Sequence, residues 1–255
     1  MPQQPTISII TVVYNGESLI ERTMQSVLLQ SYSNIEYLII DGVSTDGTLE
    51  KIQPYKSKIN YFVSEPDSGI YDAMNKGLKA ATGEYVWFMN AGDTIYNKDT
   101  LSTIFKNATD ADIYYGDTEE VDVDGKKVRM RRMKYPENLS FDSFKMGMVV
   151  SHQSIIIKKE ITSLYNLKYL ISSDIDWVIN ALKKSHKIVN TKQTLCKYLI
   201  GGKARKNFIR SNTERFFILV KHYGFLPTLM NHFVFLFRFV RFYIIAKIIP
   251  SLERN

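Results

Sequence analysis

The sequence predicts an α/β fold with a mostly parallel central sheet and helices on both faces. Strand-length apolar runs rich in Val, Ile and Tyr recur through about the first 90 residues. Segments with apolar residues at helical spacing separate them, and short Gly, Ser, Asn and Asp turns join the two kinds. Strands that alternate with helices build a parallel sheet through crossover connections.

"TISIITVVYN" (6–15) is the first strand, a β-branched run. "ESLIERTMQSVLLQ" (17–30) sets Leu19, Ile20, Met24, Val27 and Leu28 at helical spacing. "IEYLIID" (35–41) is a second buried strand, and "GVSTDGTLEKI" a turn that opens a helix. "INYFVSE" (59–65) reads as strand, "GIYDAMNKGLKAA" (69–81) as helix and "EYVWFMN" (84–90) as the fourth strand. The pattern then changes. "DIYYGDTEEVDVDGKKVRMRRM" (112–133) holds two alternating runs about Asp124-Gly125, a hairpin signal. "HQSIIIK" (152–158) is another strand, and "SSDIDWVINALKKS" (172–185) a helix with Asp174 and Asp176 in its first turn. "GGKARKN" (201–207) is a Gly-rich basic loop. There is no internal repeat.

A chain of 255 residues accommodates one such domain and an appendage. The apolar fraction of 45% and ordinary charge content place it among globular proteins. Cys196 is the single cysteine, so no internal disulfide forms, which fits a reducing compartment. "MPQQPTISII" lacks the basic-then-apolar pattern of a signal peptide, and the expected location is cytoplasmic.

The net charge of +7 is carried by the end of the chain: residues 1–200 balance at −1, residues 201–255 at +8. A nucleic-acid enzyme would spread base over its catalytic surface, so no nucleic-acid partner is expected. "NHFVFLFRFVRFYIIAKIIP" (231–250) is aromatic and apolar but broken by Arg238, Arg241 and Lys247. Three cations argue against a spanning helix, each costing roughly 2.5–3.5 kcal/mol at mid-membrane. A helix in the interface of an anionic bilayer fits, which makes the protein peripheral on the inner face of the plasma membrane. Packing on the domain or in a homodimer is the alternative.

In open α/β sheets ligands bind beyond the carboxyl ends of the strands. Those ends carry Tyr14-Asn15, Asp41, Glu65 with Asp67, and Asn90 with Asp93. The first turn, "YNGES", is not GxGxxG, and no GxxxxGK[ST] loop occurs, so dinucleotide and ATP-hydrolysing enzymes are disfavoured.

"ISIITVVYNGESLIERTMQSVLLQSYSNIEYLIIDGVSTDGT" followed by "SEPDSGIYDAMNKGLKAATGEYVWFMNAGD" resembles the family-2 inverting glycosyltransferases of the GT-A fold, strongly over 6–100 and traceably to about 205. The resemblance implies a catalytic domain over 1–205, its nucleotide half about 1–100 and its acceptor half about 101–205. A basic, aromatic helical tail would occupy 206–255. Thr11, Tyr14 and Asn15 would line base and ribose, and Asp41 would accept from the base. Asp67, Gly69 and the next helix, with Asp72 and Lys76, would flank the nucleotide. Asp46 is either a ligand contact or the cap of the following helix. The family's metal turn, where carboxylates hold Mg2+ or Mn2+ against the donor diphosphate, is here Asn90-Ala91-Gly92-Asp93. Asp93 matches the acidic ligand, while Asn90 and Gly92 stand where acids are usual.

Inversion needs a base on the acceptor side. "SSDIDW" matches the family's Glu-Asp before a helix, so Asp174 is the expected base, Ser173 replaces the usual Glu, and Asp176 is the competitor. His152 in "SHQS" falls where the family has His-Gln near the acceptor, and Lys203, Arg205 and Lys206 are candidates for diphosphate contact. The implied activity is transfer from a UDP-sugar, or a GDP-sugar, to a hydroxyl of a glycan acceptor. A polyprenyl-diphosphate-linked acceptor in bacterial surface polysaccharide assembly would rationalise the tail. Two other classes fit part of the pattern: a sugar-phosphate nucleotidyltransferase, whose basic Gly-rich loop after the first strand is missing here, and a non-catalytic membrane scaffold.

Overall fold

The computed structural model describes residues 4–106, 110–131, 133–201 and 207–233. The first half of the sheet is parallel: β1 (Ile7–Val13), β2 (Ile35–Asp41), β3 (Tyr61–Ser64) and β4 (Tyr85–Phe88), in spatial order β3-β2-β1-β4. Ile7 of β1 stands opposite Ile35 on one side and Tyr85 on the other. Every residue of β1 is buried, because α1 (Glu17–Leu28) covers one face and α3 (Ile70–Ala80) the other. Ile7, Ile9 and Val13 share a core with Ile20, Met24 and Val27, while Ile10 and Val12 share a second with Tyr71, Met74 and Leu78. Burial on both faces explains the unbroken apolar run in the sequence. The short α2 (Thr48–Ile52) follows the β2 turn.

The second half is mixed. It holds β5 (Thr94–Ile95), α4 (Thr100–Lys106), β6 (Ile113–Val121), β7 (Lys127–Met130), β8 (Ile155–Lys158), α5 (Ser173–Lys184), β9 (Ile188–Leu199) and α6 (Phe208–Tyr223). β8 lies antiparallel between β4 and β6, β9 runs parallel to β6, and β5 pairs antiparallel with β9. The β6–β7 hairpin turns at Gly125, whose φ of 77° is the left-handed conformation that glycine permits. Its side chain-to-backbone bonds come from Asp122, which accepts the Asp124 and Lys126 N–H groups. β9, which the pattern reading did not assign, is broken by a register shift opposite Tyr115–Asp117 and by Lys192 at φ 55°. These irregularities blur its alternation.

The break expected at residue 206 is not a break in packing. Ile218 and Leu219 of α6 enter the core that also holds Ile175, Val178 and Leu182 of α5. Among the described residues no helix is long and apolar enough to cross a membrane. Most of the apolar segment, residues 234–250, lies outside the described residues, as does 202–206.

Candidate active site

The carboxyl ends of β1, β2 and β4 meet on one rim, stitched by side chains. The Asn15 N–H donates to Ser44 Oγ at 2.8 Å, and Asn15 Oδ1 accepts the Thr45 N–H at 2.8 Å. Asp46 accepts the N–H groups of Thr48 and Glu17, fixing the starts of α2 and α1, so its carboxylate has the helix-capping task. Tyr14 is exposed, and Gly42 lies between it and Asp67: a Cβ on Gly42 would meet Asp67 Oδ2 at 2.4 Å and Tyr14 Cδ2 at 3.5 Å. The shelf is therefore glycine by steric need, with an aromatic face on one side and a carboxylate on the other. Asp67 also accepts the Gly69 N–H at 2.8 Å ahead of α3. Asp72 accepts the Ser68 N–H at 3.0 Å and Lys76 pairs with Glu65 at 3.0 Å, so both hold this loop together.

Two of the expected ligand contacts face inward instead. Thr11 is fully buried, its hydroxyl donating to Met89 O at 2.8 Å beside the Tyr37 hydroxyl. Asp41 is fully buried too and accepts the Ser44 N–H at 3.0 Å and the Ser64 hydroxyl at 2.6 Å. Both residues brace the rim from beneath; neither carries surface for a base or ribose to touch.

The turn Asn90–Asp93 is fastened to β1 and α1. Met89 and Ala91 donate to the carbonyls of Ile10 and Val12. Arg22 donates twice to Gly92 O, at 3.0 and 2.7 Å, and Thr23 Oγ donates to Asp93 O at 2.7 Å. Gly92 has φ 102°, and a side chain there would also strike Leu199 at 2.8 Å. Asp93 is 4% exposed. Its Oδ1 accepts the Leu199 N–H at 2.9 Å and its Oδ2 the Gln153 amide at 3.0 Å. Burial pushes its carboxyl up to about 6 in spite of these donors. Beside it, Asn90 Oδ1 is buried with no hydrogen-bond partner.

These atoms fit a hard divalent cation as a partial oxygen set. An orphaned amide oxygen and a buried carboxylate in one turn match the ligands Mg2+ and Mn2+ take, and each Asp93 oxygen keeps a lone pair. No group of three or more His, Cys, Asp and Glu side chains forms a metal cluster among the described residues. A bound cation would complete its shell from donor phosphate and water. Asn90, which stands where an acid is usual, offers the second oxygen of the turn, and its orphaned atom was invisible without the fold.

Across the rim, α5 presents Asp174. Its helix is anchored by Trp177, which stacks on Tyr165 at 5.0 Å and meets the Phe88 ring edge-on at 5.5 Å. Asp174 Oδ2 lies 3.4 Å from His152 Nδ1, and Oδ1 lies 3.2 Å from the Tyr71 hydroxyl. Burial raises the Asp174 carboxyl, but the hydrogen bond and charge of His152 outweigh it, with help from Arg215, and hold it below the ordinary carboxylate range. The ionised form is thereby favoured, and the side chain is 22% exposed. His152 itself is buried, with Nε2 unpartnered. Ser173 donates to Asn166 O at 3.0 Å.

Asp176, the competing acid, is turned away. It is held by Lys221 Nζ at 2.9 Å and His222 Nε2 at 2.6 Å from α6. A second clamp lies one turn back: Glu214 accepts the N–H groups of Leu170, Ile171 and Ser172 at 3.0, 2.8 and 3.0 Å. These N–H groups belong to the chain segment that leads into α5. Composition had marked this stretch only as basic and apolar, and no local signal identified Glu214 or His222 as partners of α5. The candidates Lys203, Arg205 and Lys206 lie outside the described residues.

Comparison with known proteins identifies the family and the fold. The family model "Glycosyl transferase family 2" matches residues 8–165. The chain is 31% identical over 188 residues to an uncharacterised glycosyltransferase of Mycobacterium tuberculosis, covering 71% of this chain and 70% of that protein. It is 27% identical over 222 residues to TuaG of Bacillus subtilis, a name attached to teichuronic acid biosynthesis, covering 84% of this chain and 87% of that one. Among solved structures, S. aureus TarS 1–349 with UDP-GlcNAc superposes with a TM-score of 0.68 at 19% identity, covering 90% of this chain and 73% of that chain. In the UDP complex of the same fragment the chain spans 65% of that chain's length. The mannosyltransferase PcManGT of Pyrobaculum calidifontis with GDP-Man and Mn2+ gives 0.64 at 16% identity, covering 91% and 70%. The fold is GT-A, and the chain belongs to glycosyl transferase family 2.

Proposed function

We propose that the chain is an inverting glycosyltransferase that moves a sugar from a nucleotide-sugar donor to a hydroxyl of a glycan acceptor in bacterial surface polysaccharide biosynthesis. The observation that carries this reading is the pair of carboxylates on one rim. Asp93 is buried with its carboxyl raised, and the Asp174 carboxyl is held low beside His152. The donor is a UDP-sugar, with a GDP-sugar as the alternative; the named complexes of TarS and PcManGT support each.

Tyr14, Gly42 and Asp67 flank the nucleotide, and Asn15 and Gly69 shape the loops beside it. Asp174 accepts the proton of the acceptor hydroxyl as that oxygen attacks the anomeric carbon. The bond from that carbon to the diphosphate oxygen breaks on the opposite face, and its electron pair leaves with the nucleoside diphosphate. Asp93 and Asn90, with Ala91 and Gly92 as the frame of the turn, would hold Mg2+ or Mn2+, which when bound neutralises the leaving diphosphate. His152 stands on the acceptor side.

The acceptor is a lipid-linked glycan, and the protein works at the cytoplasmic face of the membrane. Supporting this, α6 and residues 225–233 leave Phe208, Ile209, Phe217, Phe225, Leu226, Met230 and Phe233 exposed, Ile209 at 82%. This apolar surface leads directly into the basic, aromatic 234–250 sequence. The test is transfer or hydrolysis of a panel of UDP- and GDP-sugars with Mn2+. Wild type consumes one donor and Asp174→Asn loses about 10²–10⁴-fold in kcat. Equal rates for the two proteins would remove Asp174 as the base.

A further inference from the structure

Two consecutive residues touch both carboxylates of the site. His152 Nδ1 stands 3.4 Å from Asp174 Oδ2, and Gln153 Nε2 donates to Asp93 Oδ2 at 3.0 Å. Both residues belong to one 3₁₀ turn, His152–Ser154, and both are buried, at 8% and 4% exposure. The turn is rigidly held. Ser154 N–H donates to Ser151 O at 2.8 Å, Ser154 Oγ donates to Asp117 O at 2.8 Å, and the Gln153 carbonyl accepts the Trp87 indole N–H at 2.8 Å. The Gln153 amide has one orientation available, because Oε1 accepts the Ser151 hydroxyl and Nε2 is left for the carboxylate. For His152 only Nδ1 has a carboxylate partner, and Nε2 has no hydrogen-bond partner.

Nothing else in the described contacts joins the two acids so directly. Asp93 belongs to the donor turn after β4, Asp174 to α5 on the acceptor side, and β8, which continues from this turn, pairs with β4. We propose that the His152–Gln153 turn is one positioning unit for glycosyl transfer, fixing the acceptor-side base and the donor-side carboxylate in a common frame. The proposal rests on the roles given above to Asp93 and Asp174. Its consequence is geometric: inversion requires the base and the diphosphate on opposite faces of the same sugar, and a displacement near 1 Å costs about 10²-fold in rate. A single backbone turn that grips both acids keeps that spacing fixed.

Two measurements test it. In ¹⁵N-histidine NMR of the full chain, with the His152 signals identified by their loss in His152→Asn, wild type is protonated at Nδ1, and Asp174→Asn removes that preference. A wild-type ring protonated at Nε2 and bare at Nδ1 would overturn the proposal. Kinetics and melting give the second readout, with UDP or GDP plus Mn2+, whichever raises the wild-type melting temperature, and the donor sugar hydrolysed by wild type. His152→Leu lowers kcat about 10²-fold and leaves the nucleotide–Mn2+ melting shift intact. His152→Asn, whose amide N–H takes the place of Nδ1–H, restores most of the rate. Gln153→Leu instead diminishes the melting shift and raises the KM for the donor. If Leu and Asn at 152 lose equal activity, or Gln153→Leu keeps the full shift, the turn is not a positioning unit. A fully active Asp174→Asn, or no nucleotide shift in wild type, would instead sink the underlying reading of the site.

Discussion

His222 Nε2 of α6 lies 2.6 Å from Asp176 Oδ1 of α5, with both side chains almost wholly buried. Lys221 Nζ adds a contact at 2.9 Å to the same oxygen. Two residues away on the helix, Asp174 faces the opposite way, toward His152 and Tyr71. The two acids of one sequence motif therefore have different partners, one bound to α6 and one beside His152 and Tyr71.

Asp176→Asn leaves His222 and Lys221 without their counter-charge, and breaking a buried pair in this way costs about 3 kcal/mol. For a domain of this size the melting temperature falls by roughly 6–12 °C. The pH dependence follows from the wild-type carboxyl. Burial raises it, but hydrogen bonds from His222 and Lys221 prevail and hold it below the ordinary range. Its contribution is thus complete above the unfolded value of about 3.9 and is lost as pH falls through the lower folded value. Melting curves from pH 7 to pH 2 should show wild type and variant converging only at the acid end.

Glu214→Ala removes the acceptor of three backbone N–H groups ahead of α5. Each buried donor left unpaired costs about 1–3 kcal/mol, so the turn relaxes and the base shifts with it. The expected result is a kcat lowered about tenfold or more with an unchanged nucleotide melting shift, since the donor rim is untouched. Glu214→Gln keeps one carbonyl acceptor and should fall between. Steady-state kinetics beside nucleotide melting curves distinguish this from global unfolding.

How far the sequence could be read depends on whether a contact is local. β1 and β2 announced themselves because burial on both faces demands unbroken apolar runs. Asp93 and Asp174 were picked out by motif position alone. Asp176 is paired with Lys221 and His222, some 45 residues later, and no periodicity encodes that. Asp41 sits at a strand end like its neighbours, yet Ser44 and Ser64 enclose it from two other segments. Asn90 read as a lost acid; only the packed turn leaves its oxygen buried and unpaired.

On the proposed reading, that oxygen and Asp93 make metal binding conditional on the donor. With one carboxylate and one amide oxygen from the protein, Mn2+ alone should bind weakly, and tighter binding should require the nucleoside diphosphate. Isothermal titration of Mn2+ with and without UDP measures this directly. Asp93→Asn and Asn90→Leu should each reduce the UDP–Mn2+ melting shift, the first more. EDTA should abolish turnover; full activity in EDTA would remove Asp93 as a ligand and turn attention to the basic residues at 203–206.

The exposed face of α6 has its own test. Phe208, Ile209 and Phe217 of α6 stand in solvent, and residues 234–250 beyond it add Arg238, Arg241 and Lys247 to an aromatic run. An interfacial segment of this chemistry binds by apolar burial together with attraction to anionic lipid, at about 1 kcal/mol per cation near the surface. Full-length protein should co-sediment with vesicles containing phosphatidylglycerol, less with pure phosphatidylcholine, and less again as salt rises. A chain ending at residue 225 should stay in the supernatant while retaining nucleotide binding, because the residues proposed for the donor rim, Tyr14 to Asp93, all precede the cut. Equal sedimentation of the two chains would place membrane affinity elsewhere, and binding by neither would leave the apolar face to a protein partner or a second copy of the chain.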